Sequence, residues 1–263
     1  MRLSSYISKR CGVSRRFAKR AIAAGLVLAS DGKPVNVDIE VDENSNYSLN
    51  ITKTDLSYNA KDYHIKQMSD VAFLYKPPLM HTERHTPLDG LCLDDVANRE
   101  LPDYKLITRL DYGADGIIVA IKNGITVIKE RKTYLAWVCG ADFPAQITGK
   151  WRVFADKRNK VKVERVDGTN NTDAEVMNFS KLDSRVNLEY KNHSLVRVEL
   201  ARAHRHQVRA VLANLGYPIV GDSLYGFAGS AGGNGDRIYL HCESIELNGV
   251  MGYSSKIDDF IKG

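Results

Sequence analysis

The chain carries the stretch T-R-L-D-Y-G-A-D-G-I-I-V at residues 108–119, in which a polar loop runs directly into an apolar, β-branched segment. The apolar end predicts a buried strand, and the loop before it holds one cation and one carboxylate, Arg109 and Asp111. Because loops at strand ends often carry catalytic groups, Asp111 is a candidate catalytic residue. The residues alone leave a second interpretation open, which is a surface ion pair between Arg109 and Asp111.

Short β-branched runs recur on both sides of this stretch, and helical patterns are few. Strands are predicted at 71–75, 116–121, 134–140, 151–154, 160–166, 185–190, 195–200 and 244–247, and helices at 123–131 and 206–215. Many strands with few crossover helices favour an α+β fold with a mixed, largely antiparallel central sheet and flanking helices. We place this domain at residues 70–253, after a polar linker at 54–69 and before a C-terminal tail at 254–263.

Residues 1–53 predict a separate, small α/β module. Ser14 is a good N-cap for a helix over residues 15–24, and Gly25 stands where a helix end needs a left-handed residue. A hairpin is predicted next, with strands at 26–28 and 33–37 around an Asp31-Gly32 turn.

The predicted helix of this module has a basic outer face, formed by Arg15, Arg16, Lys19 and Arg20. The first thirty residues contain no aspartate or glutamate to balance these charges. A solvated surface is one interpretation, since charged outer faces are common on helices. Unbalanced basic residues also form good phosphate contacts, so we expect this face to bind RNA.

The composition of the chain disfavours several classes of protein, among them disulfide-rich, secreted and membrane-spanning proteins. A net charge of +5 over 263 residues permits a polyanionic partner without requiring one. The four cysteines include no C-x-x-C pair, so a disulfide framework is not expected and a reducing compartment is the default. No apolar run reaches the length of a membrane span, and no signal core is present. We therefore expect a cytoplasmic protein.

Three further segments have chemical potential: Y-K-P-P at 75–78, K-T-Y-L-A-W-V-C-G at 132–140, and L-A-R-A-H-R-H-Q-V-R at 200–209, followed by G-Y-P-I-V-G-D-S-L-Y-G at 216–226. The first is a rigid strand exit with Lys76 at its tip. The second, read as a strand, places Tyr134 on one face with Ala136 and Val138. The third runs from a strand into a helix, whose first turn favours anions.

In this order the segments resemble the RluA-type pseudouridine synthases. That family has the patterns H-R-L-D-x-x-T-S-G, K-x-Y-x-A-x-V-x-G, T-G-R-x-H-Q-I-R, G-x-P-I-x-G-D-x-x-Y-G and L-H-A, and the resemblance covers roughly residues 70–250. It implies the pseudouridine synthase fold and an enzyme that isomerises uridines in structured RNA. The expected substrate is large-subunit ribosomal RNA, with tRNA as a further option. No metal or organic cofactor is implied, and a monomer is typical.

The module at 1–53 is similar to the S4-like RNA-binding domain, through R-L-x-x-Y-I, V-S-R-R-x-A-K-R-A-I-x-x-G-L-V and D-G-K-P-V. In the catalytic domain, the resemblance implies that Asp111 is the nucleophile, that Tyr134 packs against the flipped uracil, and that Arg209 holds the aspartate ionised. The residues that we expect to contact RNA are Arg15, Arg16, Lys19, Arg20, Lys76, Arg109, His206 and Gln207.

The chain departs from the family patterns at Thr108, at Ala114-Asp115, and at Arg202-Ala203-His204. Losing the Thr-Ser hydroxyls removes expected braces of the Asp111 loop, and Asp115 adds a carboxylate that, if close, would raise one of the two pKa values. A catalytically silent RNA-binding protein or ribosome assembly factor is therefore the first alternative.

A metal-dependent hydrolase is the second alternative, because His81 and His85 have i, i+4 spacing and His204 and His206 flank one residue. Pro87 disfavours a helix there, and the pattern H-E-x-x-H is absent from the sequence.

Overall fold

Strands make up most of the regular structure in the computed structural model of the chain. The structure describes residues 1–13, 15–50, 58–85, 89–155, 160–167, 173–182, 193–227 and 237–262, without the side chains of Arg16, Arg20 and Ala155. The chain divides into two units. The first is Met1–Tyr58 with Arg84–Gly90, and the second is Asn59–Glu83 with Leu91–Gly263.

The first unit contains two short helices and a two-stranded sheet, namely α1 (Leu3–Cys11), α2 (Arg15–Ala23), β1 (Val27–Leu28) and β2 (Ser48–Leu49). The face of α2 that the spacing predicts to be inward is buried, and it consists of Phe17, Ala18, Ala21 and Ile22. Gly25 has the expected left-handed backbone, with φ +70°. Ser14, the predicted N-cap, lies outside the described residues.

The predicted hairpin is confirmed in part. The regular ladder of β1 pairs Val27 and Leu28 with Leu49 and Ser48. Residues 33–35 also lie against β1, through the bridge between Pro34 and Leu28 and through hydrogen bonds from Val35 N to Val27 O at 2.8 Å and from Ala29 N to Lys33 O at 2.9 Å. Proline has no backbone N–H to give to a strand ladder, so residue 34 interrupts regular pairing.

The second unit is built on one large sheet. Its elements are β3 (Lys66–Met68), β4 (Val71–Lys76), α3 (Leu93–Glu100), β5 (Tyr104–Leu106), β6 (Asp115–Lys122), β7 (Glu130–Cys139), β8 (Gln146–Ala155), β9 (Val161–Arg165), β10 (Glu175–Lys181), β11 (His193–Leu200), α4 (Gln207–Asn214), β12 (Leu240–Leu247), β13 (Val250–Tyr253) and α5 (Ile257–Lys262).

The strand order is β3-β4-β6-β12-β7-β11-β10-β8-β9, with β5 on β6 and β13 on β12. Among the described pairs, β6–β12 is parallel and the others are antiparallel. The α+β fold with a mixed, largely antiparallel sheet is confirmed.

Alternation along β7 gives the sheet two buried faces. Tyr134, Ala136 and Val138 join a core that includes α4, whereas Leu135 and Trp137 join a second core that includes α5. Ala114, from the turn that precedes β6, also belongs to the first of these cores.

Several predicted boundaries and elements need correction. Within 54–69, the segment Ala60–Tyr63 forms a 3-10 turn and β3 pairs with β4, so the expected linker joins the second unit from Asn59 onward. The expected tail at 254–263 contains α5, whose Phe260 is buried. In both cases, an apolar side chain within a polar segment is buried in the core, which removes apolar surface from water and stabilises the fold.

The helix predicted at 123–131 is also wrong, because residues 123–129 are irregular and β7 begins at Glu130. Gly124 has φ +93° there, and the β-branched run 125–128 disfavours a helix. The predicted strand at 185–190 lies outside the described residues. Among the described helices, none combines the length and the apolar character that a membrane crossing requires.

Candidate active site

Asp111 lies in the turn between β5 and β6, where its backbone carbonyl accepts a hydrogen bond from Ala114 N at 3.1 Å. Its side chain is 25% exposed, so one side of the carboxylate remains open. Arg209 Nη1 donates to Asp111 Oδ2 at 2.7 Å, and His206 Nε2 lies 3.4 Å from Oδ1. The carboxylate is therefore held by two side chains from the start of α4.

Arg209 serves two carboxylates at once. Its Nε and Nη2 donate to the two oxygens of Asp222 at 2.7 and 2.8 Å, and Nη1 remains for Asp111. The Asp222 side chain is fully buried, and the Tyr225 ring lies 5.2 Å from the guanidinium carbon. These contacts fix the plane of the guanidinium.

The electrostatics of the pair follow from its partners. Burial raises the pKa of Asp111, but the hydrogen bond from His206 and the charge of Arg209 outweigh burial and lower the pKa to about 2. Burial lowers the pKa of Arg209, and the bonds to Asp222 and Asp111 raise it above its ordinary value. The pair is therefore ionic at neutral pH.

His206 connects Asp111 to a second layer of contacts. It is the N-cap residue of α4, with a left-handed φ of 56°, and its Nδ1 lies 3.2 Å from the Tyr225 hydroxyl. The same hydroxyl accepts a hydrogen bond from Val161 N, at the start of β9, at 2.7 Å. Tyr225 thus connects the edge of the sheet to His206 and, through His206, to Asp111.

Tyr134 lies on β7 in the same core as Ala114 and is 4% exposed. Burial raises the pKa of its phenol well above the ordinary value, and the charge of Asp111 contributes in the same direction. The phenol is therefore neutral at physiological pH and offers mainly an aromatic surface.

The family departures have structural explanations. Asp115 is buried, and its Oδ2 lies 2.8 Å from His241 Nδ1 and accepts a hydrogen bond from Tyr75 at 3.2 Å. The groups that shift the pKa of Asp111 are His206 and Arg209, besides burial, and Asp115 is not among them. Thr108 is also buried, and its hydroxyl accepts from Val119 N at 2.8 Å. The loop therefore has braces other than the expected Thr-Ser hydroxyls.

Two of the predicted RNA contacts, Lys76 and Gln207, are internal. The Lys76 ammonium donates to the carbonyls of Pro77 and Met80, both at 2.9 Å. Gln207 Oε1 accepts from His204 N at 2.9 Å, inside the first turn of α4. Both side chains are buried, and the contacts that the structure gives them are to the protein itself.

The other predicted contacts differ in exposure. Arg109 is 59% exposed and forms an ion pair with Glu83 at 3.1 Å. His206 is mostly buried against Asp111. In the first unit, Arg15 and Lys19 are exposed on α2, whereas the side chains of Arg16 and Arg20 lie outside the described part.

Sequence reasoning assigned no role to Asp222, Tyr225 or His241. Asp222 and Tyr225 stand within the quoted segment at 216–226, but no spacing rule connects that segment to Arg209. The available signal was the family pattern G-x-P-I-x-G-D-x-x-Y-G, which contains both residues. Within the described residues, no three histidine, cysteine, aspartate or glutamate side chains cluster as metal ligands.

Comparison with known proteins identifies the family to which this chain belongs. The sequence model of the family described as RNA pseudouridylate synthase matches residues 70–214, a range that includes Asp111, Tyr134 and Arg209. The chain therefore belongs to the RNA pseudouridylate synthase family. It is an isomerase that acts on RNA.

Individual relatives agree with this assignment. The chain is 24% identical to an uncharacterized RNA pseudouridine synthase of Helicobacter pylori over 94% of its own length and 82% of the relative's. It is 27% identical to the ribosomal large subunit pseudouridine synthase C of Rickettsia bellii, over 63% of this chain and 57% of that protein.

Solved structures confirm the fold. Human RNA pseudouridylate synthase domain containing 1 aligns with a TM-score of 0.55 at 18% identity, over 72% of this chain and 81% of that one. Human RNA pseudouridylate synthase domain containing 4 aligns with a TM-score of 0.53 at 17% identity, over 77% and 93%.

Proposed function

We propose that this enzyme isomerises specific uridines of large-subunit ribosomal RNA, with Asp111 as its nucleophile. The observation that carries the proposal is the 2.7 Å contact between the Arg209 guanidinium and the partly open Asp111 carboxylate. The substrate class is suggested by the Rickettsia relatives, whose names include the large ribosomal subunit.

The reaction breaks the C–N glycosidic bond of uridine, rotates the base and forms a C–C bond, so it needs no external reagent. An ionised Asp111 attacks C1′ or accepts its developing charge, and Arg209 keeps it ionised. The target base has to leave its stack to reach the carboxylate. We assign the buried Tyr134 ring to packing against the flipped uracil, which is consistent with its place in the same core as the Asp111 loop.

We assign RNA binding outside the active site to the first unit, as an S4-like domain. The exposed Arg15 and Lys19 support this role, together with the sequence positions of Arg16 and Arg20. We further propose a monomer that works in the cytoplasm, with tRNA as the second candidate substrate.

The test is to map pseudouridine in total RNA from cells with and without the gene, and from deletion cells that express Asp111→Asn. Sites in large-subunit ribosomal RNA should disappear in the deletion and return only with the intact carboxylate. Asp103→Asn, at an exposed aspartate of the same unit, is the control and should restore every site.

Other results separate the alternatives. Sites confined to tRNA would overturn the substrate class and leave the mechanism standing. If no site changes while the purified protein still binds ribosomal RNA, the chain is the catalytically silent RNA-binding protein. Full activity of Asp111→Asn would reject Asp111 as the nucleophile.

A further inference from the structure

Residues 81–83 run beside the loop that carries Asp111 and contact it residue by residue. We refer to residues 81–83 and 109–112 together as the lip. The ring centroids of His81 and Tyr112 lie 4.6 Å apart at an interplanar angle of 39°. The Thr82 hydroxyl donates to Leu110 O at 3.0 Å and accepts from Leu110 N at 3.1 Å. Glu83 pairs with Arg109 in turn.

Hydrogen bonds from the start of α3 and from Lys76 hold the backbone of the lip in place. At the start of α3, Leu93 N donates to His81 O at 3.0 Å and Asp94 N donates to Thr82 O at 2.9 Å. The buried Lys76 ammonium also reaches the Tyr112 carbonyl at 3.5 Å. The backbone under the His81 and Tyr112 rings is therefore fixed before any ligand arrives, which lowers the entropic cost of binding.

Tyr112 leaves 40% of its surface exposed, although it is a large aromatic residue directly after the nucleophile. Because Tyr112 directly follows Asp111 in the chain, its exposed ring lies on the same loop as the carboxylate at which we place the target uridine. The neighbouring Arg109–Glu83 pair is exposed, and exposed pairs contribute little stability, so Arg109 is free to turn toward a phosphate.

We propose that Tyr112, supported by His81, is a stacking subsite for the unpaired base next to the target uridine. When the target base flips out, its neighbour loses a stacking partner, and an aromatic ring at this position replaces it. Stacking on an aromatic side chain tolerates any base, because every base has a π-face. The inference rests on the proposed function, because that function places the target uridine at Asp111.

The first test measures stacking without catalysis. An RNA hairpin with one loop uridine carries the fluorescent base 2-aminopurine on either side of it in turn, and the protein carries Asp111→Asn. Binding should quench one of the two probes. Adding Tyr112→Ala should abolish the quench and weaken binding about tenfold, whereas Tyr112→Trp should keep both. The control is Tyr253→Ala, at a tyrosine on β13 that is 66% exposed, and it should behave like the parent.

The second test separates this inference from the proposed function. On an RNA that the enzyme converts, Tyr112→Ala should raise KM about tenfold and leave kcat within about twofold, because stacking contributes binding rather than chemistry. If the wild type forms no pseudouridine and the quench persists, the proposed function fails and the subsite stands. If conversion occurs and Tyr112→Ala matches Tyr253→Ala in both tests, the subsite is rejected. A loss with Tyr112→Phe as large as with Tyr112→Ala would also reject it, since the ring would then not be the binding element.

Discussion

Arg209 and Asp222 form a buried bidentate pair, with Nε and Nη2 of the arginine 2.7 and 2.8 Å from the two carboxylate oxygens. This pair leaves Nη1 as the contact to Asp111. Asp222 therefore positions the Arg209 guanidinium, and the positive charge of that guanidinium keeps Asp111 ionised. Because one guanidinium is shared between two carboxylates, Asp111 is held in place without being fully neutralised.

Asp222→Asn should impair catalysis through Arg209. The amide preserves the shape of the side chain but removes the charge, so the guanidinium should turn more fully toward Asp111. We expect kcat to fall at least about tenfold with little change in KM, and the free energy of unfolding to fall by about 2 kcal/mol, as for a hydrogen bond to a charged group. Single-turnover kinetics and urea denaturation measure these quantities. The control is Asp173→Asn, in the exposed pair with Arg152, and it should alter neither. Equal behaviour of the two variants would contradict the role of Asp222.

Because of Lys76, the free energy of unfolding should increase as the pH rises above neutrality. Burial lowers the pKa of Lys76 from 10.5 to about 7, even though Asp115 and Asp111 act in the opposite direction. Between these values the unfolded chain binds more protons than the folded one, so the free energy of unfolding increases with pH by up to about 1.4 kcal/mol per unit.

Lys76→Met should flatten this dependence between pH 7 and 10, and it should also lower stability throughout because three carbonyls lose a donor. Urea denaturation over this pH range measures the slope. Lys122→Met, at an exposed position of β6, should keep the wild-type slope. An unchanged slope in Lys76→Met would show that Lys76 keeps its proton in the folded state.

The buried contact between Asp115 and His241 should be strongly coupled in stability. Both side chains are nearly inaccessible, and the His241 ring stacks on Phe260 at 5.0 Å. Asp115→Leu leaves the imidazole without its carboxylate, so we expect a loss of about 3–5 kcal/mol. A double-mutant cycle of Asp115→Asn and His241→Asn should give a coupling energy of about 1 kcal/mol or more. The same cycle on the exposed pair Asp31–Lys33 should give nearly none. Additive losses at Asp115 and His241 would reject the coupling.

Gly116→Ala should destabilise the second unit severely. A Cβ at this position would lie 2.4 Å from Cys242 N and 2.5 Å from Cys242 O, and the backbone has φ +122°. Neither backbone atom can yield without breaking the parallel β6–β12 pairing. Gly124→Ala has a positive φ of +93° but nothing within 4 Å, so it should cost only about 1–3 kcal/mol of strain. Thermal unfolding compares the two. A similar melting temperature for both would show that β6 and β12 can separate at little cost.

Much of the local structure could be predicted from the amino-acid sequence. Seven of the eight predicted strands correspond to strands of the sheet, and the eighth falls outside the described residues. The inward face of α2 and the start of α4 also follow from local spacing. These features depend on the preferences of each residue and its near neighbours, which can be read directly. The helix predicted at 123–131 was wrong because the prediction relied on the spacing of apolar residues. At these positions Gly124 and the β-branched run disfavour a helical backbone.

Contacts between residues far apart in the chain could not be predicted in this way and became visible in the folded structure. Arg209 and Asp111 are 98 residues apart in the chain, and His241 and Asp115 are 126 apart. The inward turn of Asp115, the burial of Lys76 and Gln207, and the docking of α5 depend on which side chains share a core. Local periodicity indicates that a side chain is buried, but it does not identify the residues against which that side chain packs. Those partners are determined by the free energy of burial and of paired charges, summed over segments far apart in the chain.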